Sequence, residues 1–224
     1  MEKNNNDFCT FDPDSPCEQC LNKGEIFCKP DNNKVIVSHL LEFSFLFMAV
    51  FGVFITSLLL DNWWLVVVYI LFIPLFFLVI QSRITCSHCP YYAEQRRVLH
   101  CTENHFTPKL WRYHPEPIVL WEKIGTVLGF GFLGSFPILV ELYGIWVFLQ
   151  RSVEMVSFLG YFGIFLGTLF TLGVFYLTFF FLYCPHCVNF SCIFNKVPKE
   201  FVNEYLKRNP TMKKAWEEAG SYKK

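Results

Sequence analysis

Charge is scarce where this sequence is most apolar. Residues 35–60, 63–82, 118–149 and 155–183 form four long runs with few acidic or basic side chains, although the chain carries 19 Lys and Arg and 19 Asp and Glu. The formal balance is zero, so no net positive field gathers nucleic acid, and no nucleic-acid partner is expected. The apolar runs also lack cysteine, although the chain has ten. A phosphate-binding glycine loop, a serine nucleophile elbow and a His-Glu-x-x-His pair are all missing. Those absences leave catalytic residues unassigned. An early apolar core behind a basic start is missing too, so no secretory signal peptide is expected, and the polar first 34 residues are expected to remain on the mature protein.

What is present is apolar surface in the lengths a bilayer requires. The residues are 53% hydrophobic with 27 Phe, and the mean hydropathy is +0.33. About 20 apolar residues suffice to cross a hydrocarbon core of ~30 Å. The sequence therefore predicts an all-helical polytopic membrane protein with four transmembrane helices arranged as two hairpins, a degenerate internal repeat. Residues 35–82 form the first hairpin, turning at Asp61 and Asn62, and residues 118–183 the second, turning around Gln150 to Glu154. Pro74 predicts a kink in the second helix. Gly125 with Gly129, and Gly163 with Gly167, set small residues on one helix face, where neighbouring helices can approach closely.

The polar segments carry the chemistry. They are an N-terminal segment (residues 1–34) broken by Pro13, Pro16, Gly24 and Pro30, a central Cys/His loop (83–117) and a tail (184–224). In the loop, Tyr91 to Leu99 is expected to form a short helix. In the tail, Pro198 opens a helix whose Val202, Tyr205 and Leu206 share a face. Asn209 and Pro210 break it before a second helix ending at Gly220. This amphipathic tail suits either the membrane surface or the protein's own flank. Every Lys and Arg except Arg151 lies in residues 1–34, 83–123 or 196–224. The positive-inside rule then puts both termini and the central loop in the cytoplasm.

All ten cysteines fall on that predicted side. A reducing compartment disfavours structural disulfides and favours thiols as metal ligands or redox groups. The strongest motif occurs twice, each time directly after an apolar run: Cys86-Ser87-His88-Cys89 and Cys184-Pro185-His186-Cys187. A Cys-x-x-Cys turn brings two sulfurs close enough for one tetrahedral ion at Zn–S ~2.3 Å. Cys86, Cys89, Cys184 and Cys187 together could clip the two halves through one zinc. Alternatively Cys86, Cys89, Cys101 and His105 form a finger-like set, leaving Cys184, Cys187 and Cys192 needing a fourth donor, with His186 a candidate. His88 and His186 otherwise read as supporting groups. The quartet Cys9, Cys17, Cys20 and Cys28 suffices for a closed site that would order a segment with little core of its own.

Three functional expectations follow. The first is a membrane protein binding zinc through these cysteines, with a structural or scaffolding role toward a cytoplasmic protein partner. The second is an iron–sulfur electron-transfer or assembly protein, since thiolates suit both metals. Against it, the consecutive bacterial ferredoxin spacing is absent. The third is a thiol–disulfide oxidoreductase or a handler of soft metals such as copper or mercury. Within the membrane, Glu141 is the polar group to weigh. Counted from Lys123 it lies ~27 Å along the helix, which predicts a wet position near the outer interface. His39 and Glu42, three apart near the inner boundary, could form a carboxylate–imidazole pair there, as anchors at the interface.

Overall fold

The computed structural model describes residues 8–12, 14–151 and 154–221. Pro13, Ser152 and Val153 lie outside them. The described chain is helical, with no strand and a single isolated bridge between Val98 and Pro108. Four helices are long and apolar enough to cross a membrane.

The first hairpin forms as its sequence dictates. Asp31 caps α1 (Asn32–Leu60) by accepting from the Asn33 N–H at 2.9 Å, a side-chain acceptor for a backbone donor without a helical partner. Asp61 ends the helix in the left-handed conformation, φ 52°, which a short Asp side chain tolerates. Asn62 closes the turn. Its N–H donates to the Ser57 carbonyl at 3.0 Å and its side chain accepts from the Trp64 N–H at 3.2 Å. Helix α2 (Trp64–Leu75) follows at once. Pro74 supplies no N–H, and the backbone beyond it widens into a π-helix over Phe76–Thr85, a known response to an interrupted hydrogen-bond ladder.

The second hairpin comprises α3 (Leu120–Gln150) and α4 (Met155–Thr178), the latter also running on as a π-helix over Phe179–Tyr183. Both hairpins thus end alike: a π-helical stretch, then a 3-10 turn carrying a Cys-x-His-Cys motif, Cys86–His88 in one and Cys184–His186 in the other. Helices α1 and α3 pack on each other and on α2 and α4. Phe45, Ala49, Val53, Tyr69 and Leu133 fill the space between them. The outward faces stay apolar: Phe43, Leu71, Leu128 and Phe170 are each at least 65% exposed, which suits lipid and not water. Trp63, Trp64 and Trp146 are exposed toward the turn end and Trp111 and Trp121 toward the other, as aromatic belts require.

The paired glycines act as expected in part. Gly125 and Gly129 face Ile84 and Ile80 of the α2 continuation, and Gly167 faces Met48, whereas Gly163 meets open space. Closer approaches occur at Gly52 and Gly144. A Cβ on Gly144 would overlap the Tyr161 hydroxyl, and one on Gly52 would overlap the Glu141 carboxyl.

The polar segments form a second core over the ends of the bundle where the Cys motifs emerge. Phe8 and Ile26 from the N-terminal segment, Tyr91 and Leu99 from the central loop, and Tyr205 and Trp216 from the tail belong to one buried cluster. The tail helices α5 (Lys199–Arg208) and α6 (Pro210–Glu218) have the expected bounds. Tyr205, Leu206 and Met212 are all but inaccessible, so the amphipathic face is spent on the protein itself and not on a membrane surface. The expected helix over Tyr91 to Leu99 is absent. Only Pro90–Ala93 makes a 3-10 turn. Beyond it the chain is extended, because Arg97 and Leu99 pair with the returning strand-like segment: Leu99 N–H donates to the Thr107 carbonyl and Lys109 N–H to that of Arg97, both at 2.9 Å.

Candidate metal centre

Each Cys-x-x-Cys motif is shaped by its own backbone. Cys17–Gln19, Cys86–His88 and Cys184–His186 are 3-10 turns. The Cys89 N–H donates to the Cys86 carbonyl at 2.9 Å and the Cys20 N–H to that of Cys17 at 3.2 Å. Such turns hold both cysteines of a pair on one side of the chain. All ten cysteines are unbridged.

Six of them wall a single cavity of about 80 Å³ at the bundle end: Cys86, Cys89, Cys101, Cys184, Cys187 and Cys192. Two come from the end of α2, one from the central loop and three from the chain after α4. This wall combines the two groupings read from the sequence. It takes both Cys-x-His-Cys pairs and adds Cys101 and Cys192. His105 is not on it. Its Nδ1 lies 3.2 Å from the Cys101 carbonyl and its ring packs on Phe106. The remaining wall mixes apolar side chains such as Leu99, Phe130, Phe179 and Phe194 with polar ones such as Gln81, Thr85, Thr102 and Asn195.

N–H groups point at these sulfurs. Asn104 donates from its backbone to Cys101 Sγ at 3.1 Å and from its side chain to Cys86 Sγ at 3.4 Å, and the Asn189 backbone lies 3.5 Å from Cys187 Sγ. Donors favour the thiolate over the thiol. Burial works the other way. It holds Cys89 and Cys187 well above the ordinary thiol range and pushes Cys101 up to about 11. A bound cation would reconcile buried sulfur with aimed donors, because a metal-bound thiol is deprotonated. Among the described residues, no three Cys, His, Asp or Glu groups are already gathered as a single ion would require.

Sequence reasoning missed the oxygen and amide groups on this wall. Glu103 lies there, its Oε2 accepting from the Ser38 hydroxyl at 3.1 Å while Oε1 is buried without a hydrogen-bond partner. Burial raises its carboxyl to about 8. Nothing local in the sequence marks Glu103, since Ser38 is 65 positions away.

The N-terminal quartet forms a second group. Cys9, Cys17 and Cys20 all act electrostatically on Cys28, whose thiol burial pushes up to about 12. Asn209, from the tail, grips this group: its Oδ1 accepts from the Cys9 N–H at 2.9 Å and its Nδ2 lies 3.4 Å from Cys9 Sγ.

The histidines of the paired motifs serve as struts. His88 is buried and donates Nδ1–H to the Glu116 carbonyl at 2.7 Å, while its Nε2 lies 3.3 Å from Glu122 Oε2. Arg83 is 3.5 Å from the same carboxylate. His186 donates to the Glu25 carbonyl at 2.6 Å and accepts, through its own carbonyl, from the Phe27 N–H at 2.7 Å. That contact fastens the N-terminal segment beside the second Cys pair. His39 and Glu42 do pair, at 3.5 Å.

Glu141 is not at a wet interface. It is fully enclosed, its Oε1 accepting from the Thr168 hydroxyl at 2.9 Å. The Tyr161 hydroxyl donates to its backbone carbonyl at 3.0 Å and meets Thr56 at 2.6 Å. Counting residues along one helix gives depth but not which neighbours close over a side chain, and here α1 and α4 do. No protein-family model, curated protein or solved structure matches this chain.

Proposed function

We propose that this is an integral membrane protein that binds metal through cysteines gathered over one end of its helical bundle. The observation that carries this reading is the wall of six sulfurs drawn from three separate stretches of chain around one cavity. Thiols brought together from residues 86 to 192, with amide donors aimed at three of them, suit a bound cation better than chance burial. Zinc suits the N-terminal quartet by donor number, since four thiols match a closed structural site and metal would draw them together from where the described residues stand apart. The role is structural or scaffolding: metal would tie the N-terminal segment, the central loop and the tail into one cap, leaving its outer surface for a protein partner. The Lys and Arg distribution supports a cytoplasmic cap with both termini on that side. The like endings of the two hairpins support their descent from one repeated unit.

Buried thiols with raised proton affinity argue against the oxidoreductase reading, which needs an accessible thiol of lowered pKa. The test is metal analysis of anaerobically purified protein with thiol counting under native conditions. Metal bound in proportion to protein, and released when thiols are modified, is the expected outcome. Metal-free protein whose ten thiols all react at once would end the proposal.

A further inference from the structure

We infer that the six-sulfur cavity holds an iron–sulfur cluster, not a single zinc ion. This rests on the cavity being a metal site and adds what kind of centre it takes.

Size decides first. A tetrahedral zinc site closes four sulfurs around one ion at ~2.3 Å and leaves no space within the shell. The cavity walled by Cys86, Cys89, Cys101, Cys184, Cys187 and Cys192 measures about 80 Å³. A water needs roughly 10–15 Å³ by the same kind of measure, so the space would take several waters. The six sulfurs come from three separate stretches of chain around that space.

Donor count decides next. Six thiolates exceed the four of a closed zinc site. A two-zinc centre could use six, but its bridges would be the thiolates themselves, and sharing draws sulfurs inward. An iron–sulfur cluster carries inorganic sulfide between its irons. It occupies the centre and takes protein sulfur only at its edge, four thiolates in number. Two of the six cysteines are then left beside the cluster.

The lining agrees. Phe130, Phe179 and Phe194 close the cavity toward the bundle, keeping water from the sulfides. The amide donors of Asn104 and Asn189 reach Cys101, Cys86 and Cys187, the kind of hydrogen bond to sulfur that sets a cluster's potential.

The experiment uses the full chain in detergent, purified anaerobically and, in parallel, incubated with ferrous iron and sulfide under reducing conditions and then desalted. The expected result is iron and acid-labile sulfide in equal amounts, about two or about four of each per chain, with broad visible absorption that bleaches on reduction. Replacing Cys86, Cys89 and Cys187 together by Ser leaves three cavity cysteines, too few for four thiolate ligands, and loses this iron, while Cys17→Ser keeps it. Should that triple variant fail to fold, thiol protection in the wild-type chain serves instead: iron and sulfide uptake must shield cavity cysteines, read by mass mapping, and leave the N-terminal quartet unchanged. Zinc in the cavity with no iron or sulfide retained after incubation would overturn this inference and leave the metal-binding reading standing. No metal of any kind would overturn both.

Discussion

Asn209 holds Cys9 from two sides, accepting from its backbone N–H at 2.9 Å and presenting an amide N–H to its sulfur at 3.4 Å. The two residues are 200 positions apart, so a tail residue fixes the first cysteine of the N-terminal quartet. Asn209 is fully buried and also donates to the Tyr205 carbonyl at 2.6 Å. Asn209→Ala leaves the half-buried Cys9 N–H and one tail carbonyl without their partner, at about 1–3 kcal/mol. The expected outcome is faster proteolysis of the N-terminal segment and faster modification of Cys17 and Cys20, with the helical bundle intact by circular dichroism. Unchanged protection would show that the tail does not anchor the quartet.

Asn104 plays the matching part at the cavity. Removing its side-chain donor with Asn104→Ala strips one hydrogen bond from the Cys86 sulfur and leaves the backbone donor to Cys101. In the proposed cluster, fewer donors to sulfur would destabilise the more negative, reduced form. The midpoint potential should therefore fall while iron and sulfide content stay the same. A voltammetric midpoint equal to wild type would show that this amide does not act on the cluster.

Helix packing depends on Gly144, which neither small-residue pair included. At Gly144 a methyl group would push against the Tyr161 hydroxyl, which is held by Thr56 and the Glu141 carbonyl. At Gly131 of the same helix a methyl group meets nothing. Gly144→Ala should lower stability by about 1–3 kcal/mol, and Gly131→Ala should not. Thermal unfolding in one detergent compares them directly. Equal midpoints would refute the close contact.

Topology is testable apart from metal. In intact cells, an impermeant thiol reagent should label Asn62→Cys, which sits at the exposed turn between α1 and α2, and should not label Cys17. Inverted vesicles should reverse the pattern. Labelling of Cys17 from outside would overturn the cytoplasmic assignment.

Much of the bundle was legible because its signals are local. The four spans follow from unbroken apolar length, the turn at Asp61 and Asn62 from two polar residues between such lengths, and α5 and α6 from spacing around Pro198, Asn209 and Pro210. The Tyr91 to Leu99 segment misled because its local pattern allows a helix, whereas pairing of Arg97 and Leu99 with residues 107–109 prevails. Grouping of the cysteines was legible only in pairs. Spacing reveals a Cys-x-x-Cys turn, but bringing Cys101 and Cys192 to the same cavity requires the central loop and the chain after α4 to pack together. Glu141 was misplaced for a similar reason, as enclosure by Gly52 and Thr168 arises from neighbouring helices.

The most direct test of the account is elemental analysis of the anaerobically purified chain beside Cys17→Ser and a variant with Cys86, Cys89 and Cys187 all replaced by Ser. Bound metal is predicted in the wild type, with each variant losing the share held by its own group of cysteines and keeping the other. A wild-type protein that is folded, free of metal and unable to take up zinc or iron with sulfide would contradict the account.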